Sequence, residues 1–340
     1  MPGWNLKNGN LVNNNISEDE LWGLFNFVFS NGSRKRNTYK FGFLKAILDN
    51  LFSGYWDVDL YILSYDILFS KFAENYWNII VKYNLKQQRR DDKSEYSRIE
   101  TIFKEAVSTN SVIANIEFES IDSELKKKII SKVRNSCKGN VVGALYNDLE
   151  GKVYSFDLKD EGIKLSRSSY NFMFKYKTEL EKLNYYAWAQ FMEKINDDSV
   201  LVRVLDKLEL STPRRNDLSI YREILEREFE ENNCFYCGKK LGNVIHVDHF
   251  IPWSFIKEDK TWNFVLSCPA CNIKKKDKLA SKDYIVRLID RNEVLKTSTD
   301  TIVQRDFIGY NSNLFERIYL YAKLSGLKEL KELKHSDGNV

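Results

Sequence analysis

At 340 residues the chain has room for two domains of ordinary size. Apolar residues make up 43% and charged residues 29%, with no apolar run near the roughly 20 residues that cross a bilayer, which excludes a disordered or membrane-embedded chain. The net charge of +4 permits a polyanionic partner without demanding one.

The opening stretch "MPGWNLKNGNLVNNN" lacks the basic and then apolar order of a secretory signal, so the expected location is the cytoplasm. In "SEDELWGLFNFVFSNG", Ser17 and Glu20 have capping-box spacing, Leu21, Leu24, Phe25 and Val28 share one face, and Gly32 is the expected stop. "YKFGFLKAILDNLF" and "LSYDILFSKFAENYWNIIVKYNL" repeat the helical period. The polar run from Lys86 to Arg98 reads as a solvated connection or a helix start. Helices are also expected over "RIETIFKEAVS" and "SELKKKIISKVRN". The segment "VVGALYNDLEGKVYSFDL" has two β-rich runs around Asn147, Asp148 and Gly151, which predicts a small hairpin. Beyond it, "SSYNFMFKYKTELEKLNYYAWAQFMEKIN" predicts a long helix with a break near Leu183 and Asn184, and "STPRRND" an interdomain joint near Thr212.

Trp22, Trp56, Trp77 and Trp188 fall at helical spacings that favour core packing over a platform for stacked bases. Arg34, Lys35 and Arg36, and the pair Arg89 and Arg90, read as solvated charge runs, with phosphate contacts as the alternative. There is no internal repeat and no low-complexity tract.

Cysteine and histidine are rare, yet four of the five cysteines and two of the three histidines lie between Cys234 and Lys278. In a chain expected to remain in a reducing compartment, paired cysteines point to metal or redox work rather than to disulfides. Cys137 stands apart, with no neighbouring His or Cys to activate it, and reads as an incidental thiol. Cys234 and Cys237, and Cys268 and Cys271, each have the two-residue gap of a knuckle whose thiolates reach one ion. Four sulfurs select zinc over hard cations and leave it no open position, so this ion is structural. The long segment between the knuckles must hold structure of its own.

That segment contains "HVDHFIPWSF", then Asn263 in "TWNFVLSC", then Asn272 directly after the last cysteine. With "CFYCGKKL" and "CPACNIKKKDK" it resembles the HNH nuclease motif in its four-cysteine zinc form, and is similar to the HNH domain of RNA-guided CRISPR effectors, which lack the zinc. The resemblance implies a ββα-metal fold clamped around a second, divalent ion. "NVIHVDHF" and "FVLSC" suit the strands, and "CNIKKKDK" starts the helix. On this reading Asp248 and Asn272 present oxygens to Mg²⁺ or Mn²⁺, which keeps several waters and takes substrate phosphate oxygens. His249 is the expected general base, because imidazole titrates near neutral pH. Asn263 would lie on the second strand and hold the ring or the loop by hydrogen bonds.

His246 shares a strand face with Asp248 and is an additional candidate as metal ligand or phosphate contact. Lys274, Lys275, Lys276 and Lys278 follow at a helix start, where phosphate contact and solvated surface are even readings. "IPWSFIKEDKTWN" lacks the Gly pair that many members carry, and the CRISPR-type domains lack it too.

The expected fold class is mainly α with a small α+β part. A helical domain of unknown specificity with a central β-hairpin would span residues 1–212, and the HNH domain with flanking helices residues 213–340, its core at 234–280. The resemblance implies hydrolysis of DNA phosphodiester bonds to 5′-phosphate and 3′-hydroxyl ends, in restriction, anti-phage defence or mobile-element biology. Two other readings stand beside it: a zinc scaffold that binds nucleic acid without cutting, and an effector silent until a protein, nucleotide or guide-bearing partner acts on it. A defence-system protein or a second copy of the chain is the other expected partner.

Overall fold

The computed structural model describes residues 5–12, 15–89, 95–201, 203–210, 217–229 and 232–330. Arg90, Thr212 and nearly all of the expected joint "STPRRND" lie outside the described residues. The chain is mainly helical, with a smaller α+β region in its C-terminal part. It divides into two compact units, Met1–Arg214 and Arg215–Val340. Among the described residues no helix is long and apolar enough to cross a membrane.

In the first unit a short strand β1 (Asn8–Gly9) precedes α1 (Glu18–Phe29) and α2 (Tyr39–Asp49). The start of α1 follows from its sequence: the Ser17 side chain accepts the Glu20 N–H, and the Glu20 carboxylate accepts the Ser17 N–H. Leu21, Leu24, Phe25 and Val28 are buried together. The stop comes before Gly32, because Ser30 turns extended and its hydroxyl donates to the Phe27 carbonyl while accepting the Gly32 N–H. Strands β2 (Tyr55–Asp57) and β3 (Leu60–Ser64) lead into α3 (Tyr65–Trp77), which continues as a π-helical turn over Asn78–Lys82. A second capping box, Ser97 with Glu100, opens α4 (Arg98–Thr109).

The expected hairpin is displaced. Helix α5 (Ser123–Asp148) absorbs "VVGALYND", because Ile129, Val133, Cys137, Val141 and Leu145 form an unbroken i, i+4 buried stripe. A helix burying a whole face overrides the β preference of two adjacent valines. Cys137 is thereby a core residue of that stripe, and burial pushes its thiol up to about 12. The hairpin forms later, from β4 (Tyr154–Asp157) and β5 (Gly162–Ser166), with Tyr154 opposite Leu165 and Phe156 opposite Ile163. It joins the other strands in a five-stranded antiparallel sheet of order β1-β4-β5-β3-β2, wider than the single hairpin expected.

Helix α6 (Arg167–Lys175) and helix α7 (Lys177–Glu193) meet at Tyr176, so the break lies before Leu183 and Asn184. Asn184 stays helical because its buried amide donates to the Phe41 carbonyl at 3.0 Å. Trp77 and Trp188 are buried, while Trp22 packs against Phe172 and Tyr176, and Trp56 against Tyr61 and Tyr170. Trp77 and Trp188 are core residues, and the half-buried Trp22 and Trp56 pack on the edge of the core through those ring contacts. Two short helices, α8 (Asp198–Leu201) and α9 (Val204–Leu210), complete the unit.

The second unit begins with α10 (Ser219–Glu228). Strand β6 (His246–His249), helix α11 (Trp253–Ile256), strand β7 (Phe264–Ser267) and helix α12 (Pro269–Lys275) form a ββα unit. It is followed by β8 (Leu279–Ala280), α13 (Asp283–Leu295), α14 (Thr301–Asp306), α15 (Ser312–Leu324) and β9 (Glu329–Leu330), the last pairing in parallel with β8. Strands β6 and β7 are antiparallel, with Asp248 opposite Val265 and His249 opposite Phe264.

Candidate functional site

The sulfurs of Cys234, Cys237, Cys268 and Cys271 all lie within 4.8 Å of one another. Those of Cys237 and Cys268 are 4.0 Å apart. A tetrahedron of sulfurs at about 2.3 Å from a zinc ion has edges of about 3.8 Å, so the four side chains are spaced to hold a metal. The first knuckle closes through the Gly238 N–H, which donates to the Cys234 carbonyl at 2.8 Å, and Gly238 itself adopts φ +73°. Glycine takes that left-handed conformation without steric penalty. The Phe235 N–H donates to the Leu266 carbonyl at 2.9 Å and so fastens the knuckle to β7.

Cys234 and Cys271 are shifted in opposite directions. Burial opposes the Cys234 thiolate, yet the backbone amides of Cys237, Cys268 and Tyr236 outweigh it and hold its pKa below the usual thiol value. Cys271 is pushed far up, by burial first and then by neighbouring sulfur contacts and the charge of Cys234.

Beside this cluster, β6 carries His246, Asp248 and His249. Asp248 is 7% exposed and its Oδ2 accepts a hydrogen bond from the Tyr236 hydroxyl and an ion pair from the Lys275 ammonium at 3.0 Å. Both contacts use the same oxygen, which leaves Oδ1 as a hard donor. Burial, followed by the charge and hydrogen bond of Asp248, raises the Tyr236 pKa well above the usual phenol value, so Tyr236 keeps its proton and donates it. His249 is 3% exposed and its Nε2 lies 2.9 Å from Oδ1 of Asp259. An ionised carboxylate only accepts, so in the neutral ring the proton sits on Nε2 and Nδ1 is the accepting nitrogen. The imidazole is also wedged edge-on against Phe264, ring centres 4.5 Å apart. Asn272, in the second turn of α12, places its amide nitrogen 3.2 Å from Nδ1 of the part-buried His246.

Asn263 ends a 3-10 turn just before β7 rather than lying on the strand. Its side chain accepts the Ile251 N–H at 2.8 Å and donates to the Ile251 carbonyl at 2.9 Å, while its own carbonyl accepts the Phe250 N–H at 2.8 Å. The backbone directly after His249 is thus tied to the start of β7 by three hydrogen bonds, which locks the loop and not the ring. That turn is anchored in its own right: Thr261 donates twice to Asp306, and Arg291 and Asn292 both donate to the Trp262 carbonyl.

The four lysines separate. Lys274 and Lys276 are exposed and Lys278 is partly so, whereas Lys275 is completely buried and its ammonium also donates to the His249 carbonyl at 2.7 Å. Lys275 is therefore not available to a phosphate, because its donors are used within the ββα unit. Asp259, Tyr236 and the inward role of Lys275 were not anticipated. Asp259 sits in the charged stretch "KEDK", and no spacing rule links it to a histidine ten residues earlier.

Residues 234–281 match the model of the HNH endonuclease family, a stretch that contains the four cysteines, β6, β7 and α12. No curated protein and no solved structure matches the chain. The C-terminal unit accordingly contains an HNH-like domain with a four-cysteine cluster able to coordinate a metal.

Proposed function

We propose that the chain is a metal-dependent HNH endonuclease that hydrolyses DNA, with a structural zinc on Cys234, Cys237, Cys268 and Cys271. The observation that carries this reading is a buried imidazole held by a carboxylate, one residue after a second carboxylate on the same strand, inside the stretch that matches the HNH family. A scaffold that only binds nucleic acid has no use for a histidine oriented in this way.

Asp248, through Oδ1, and Asn272, through its side-chain oxygen, are the groups that would hold Mg²⁺ or Mn²⁺, and His246 stands beside Asn272 as a further donor. When bound, such an ion supplies positive charge for the pentacoordinate phosphorus and for the leaving oxygen. The chain's own residues do the proton work. With Nε2–H held by Asp259, Nδ1 of His249 takes the proton of an attacking water. As that O–H bond breaks, a water oxygen–phosphorus bond forms and the phosphorus–O3′ bond breaks, leaving a 5′-phosphate and a 3′-hydroxyl once O3′ is protonated. Asn263 and Lys275 fix the backbone on which His249 is carried. Lys274, Lys276 and Lys278 remain as contacts to the DNA backbone, which position the duplex without reading its sequence. Restriction or anti-phage defence, in the cytoplasm, is the setting that suits such an enzyme.

The test is cleavage of plasmid DNA with Mg²⁺, with and without chelator, by the wild type and by His249→Ala. The variant should keep its fold and lose roughly 10²- to 10⁴-fold in rate. Equal cleavage by both proteins removes His249 from the chemistry, and DNA binding without metal-dependent cleavage leaves only the zinc scaffold.

A further inference from the structure

The basic runs at Arg34–Arg36 and at Arg89 are far apart in sequence, and the first unit brings them together. Asn37 and Gln88 form an isolated antiparallel bridge, and the Arg89 N–H donates to the Arg36 carbonyl at 3.3 Å. Beside that bridge opens a cavity of about 250 Å³ whose lining includes Arg34, Lys35, Arg89 and Lys194 and no acidic residue. Its apolar lining includes the half-buried Phe29 and the buried Phe41 and Phe191.

Among the described residues, none of these four cations is paired with a carboxylate. Lys35 is satisfied by backbone, donating to the carbonyls of Ser30 at 2.7 Å and Ser33 at 3.2 Å. Burial brings its pKa down to about 8, with the charges of Lys40 and Lys194 adding to the fall and Asp148 opposing it. Lys194 has a single long contact, 3.4 Å to the Asn31 side chain. The Arg89 guanidinium is braced against Phe191, its central carbon 5.9 Å from the ring centre. Lysines near helix ends often serve only to satisfy the last carbonyls, and that accounts for Lys35. It does not account for Arg34 and Arg89 lining the same cavity, residues whose side chains suit the oxygens of a phosphate. The half-buried Phe29 beside them offers a surface for a flat ring. The volume lies just below the range of about 300–1,000 Å³ that encloses drug-sized ligands, which limits the occupant to a single unit.

We propose that this cavity binds one nucleotide, its phosphate held by Arg34, Arg89 and Lys194 and its base packed against Phe29. The inference does not rest on the nuclease reading, since binding is measured without turnover. It gives the first unit a ligand of its own, either free nucleotide or the phosphorylated end of a strand.

Calorimetric titration of the full chain with AMP, adenosine and inorganic phosphate tests it, alongside Arg89→Glu and Lys194→Glu. Both side chains are exposed, so the variants should unfold at the wild-type temperature. AMP is expected to bind at least about tenfold more tightly than adenosine or phosphate, and each charge reversal to weaken AMP by about tenfold or more. A 5′-phosphorylated oligonucleotide that binds as tightly as AMP supports the cavity and identifies the strand end as its source. Weaker binding of the oligonucleotide supports the cavity with free nucleotide as the source. No AMP binding, AMP no tighter than phosphate, or affinity unchanged by both reversals overturns the proposal.

Discussion

Replacing Lys275 by Met tests whether the ββα unit is built around an internal ion pair. The ammonium is completely buried, 3.0 Å from the Asp248 carboxylate and 2.7 Å from the His249 carbonyl. Methionine fills much of the same space but leaves Asp248 buried with the Tyr236 hydroxyl as its remaining described partner. Breaking a buried pair on one side costs about 3–5 kcal/mol, because the other charge stays desolvated. With a urea m-value of about 2 kcal/mol per molar, that lowers the unfolding midpoint by roughly 1.5–2.5 M. Lys274→Met, one residue away on the exposed side of α12, should change stability by no more than about 0.5 kcal/mol. The measurement is urea unfolding of the full chain in magnesium-free buffer, so that no added divalent ion replaces the ammonium. A double-mutant cycle with Asp248→Asn should return a coupling of about 0.5–3 kcal/mol. The reasoning fails if Lys275→Met shifts the midpoint no further than Lys274→Met, or if the cycle shows no coupling.

Four further outcomes follow from the same geometry. Asp259→Asn can still meet Nε2 of His249 but no longer fixes its proton there, so cleavage should fall by about tenfold or more, toward the roughly 10⁴-fold loss seen when the orienting carboxylate of a Ser-His-Asp triad is amidated; unchanged rates across a pH series contradict this. Asn263→Ala strands the buried N–H and carbonyl of Ile251, and at about 1–3 kcal/mol for each it should lower the unfolding midpoint measurably; stability equal to wild type sinks the clamp. One zinc per chain is expected by elemental analysis, falling in Cys271→Ser, with chelation lowering the thermal transition of the C-terminal unit; metal-free protein of unchanged stability refutes the structural role. Glu119 is held up to about 8 against an ordinary 4.5, by burial first and then by the hydrogen bond and charge of Glu74, so folding takes up a proton between those values. The associated stability is full below about 4.5 and lost as pH rises through about 8, and Glu119→Gln should flatten the profile; an identical pH dependence in the variant counts against it.

Local signals were legible where a few neighbouring residues decide the outcome. The capping box at Ser17 starts a helix because donor and acceptor lie three residues apart. The knuckles were readable because the gap within each pair follows from the reach of two thiolates to one ion. The hairpin was misplaced because its first half, Val141–Asp148, belongs to a stripe that begins near Ile129, and a short window sees only the valines. The helix break was misplaced because Tyr176 carries no breaker signal, while Asn184 is kept helical by a carbonyl on another element.

In the candidate site the same division holds. By itself the sequence marked the candidates: Cys234, Cys237, Cys268 and Cys271 by the spacing of their pairs, and Asp248, His249 and Asn272 by resemblance to the HNH motif. Only the tertiary structure decided how they are held. It turned Lys275 inward while its neighbours face solvent, brought Asp259 to His249, and tied Ile251 to Asn263. Hydrogen bonds and ion pairs are set by distances between side chains on different elements, and no one-dimensional spacing encodes those distances.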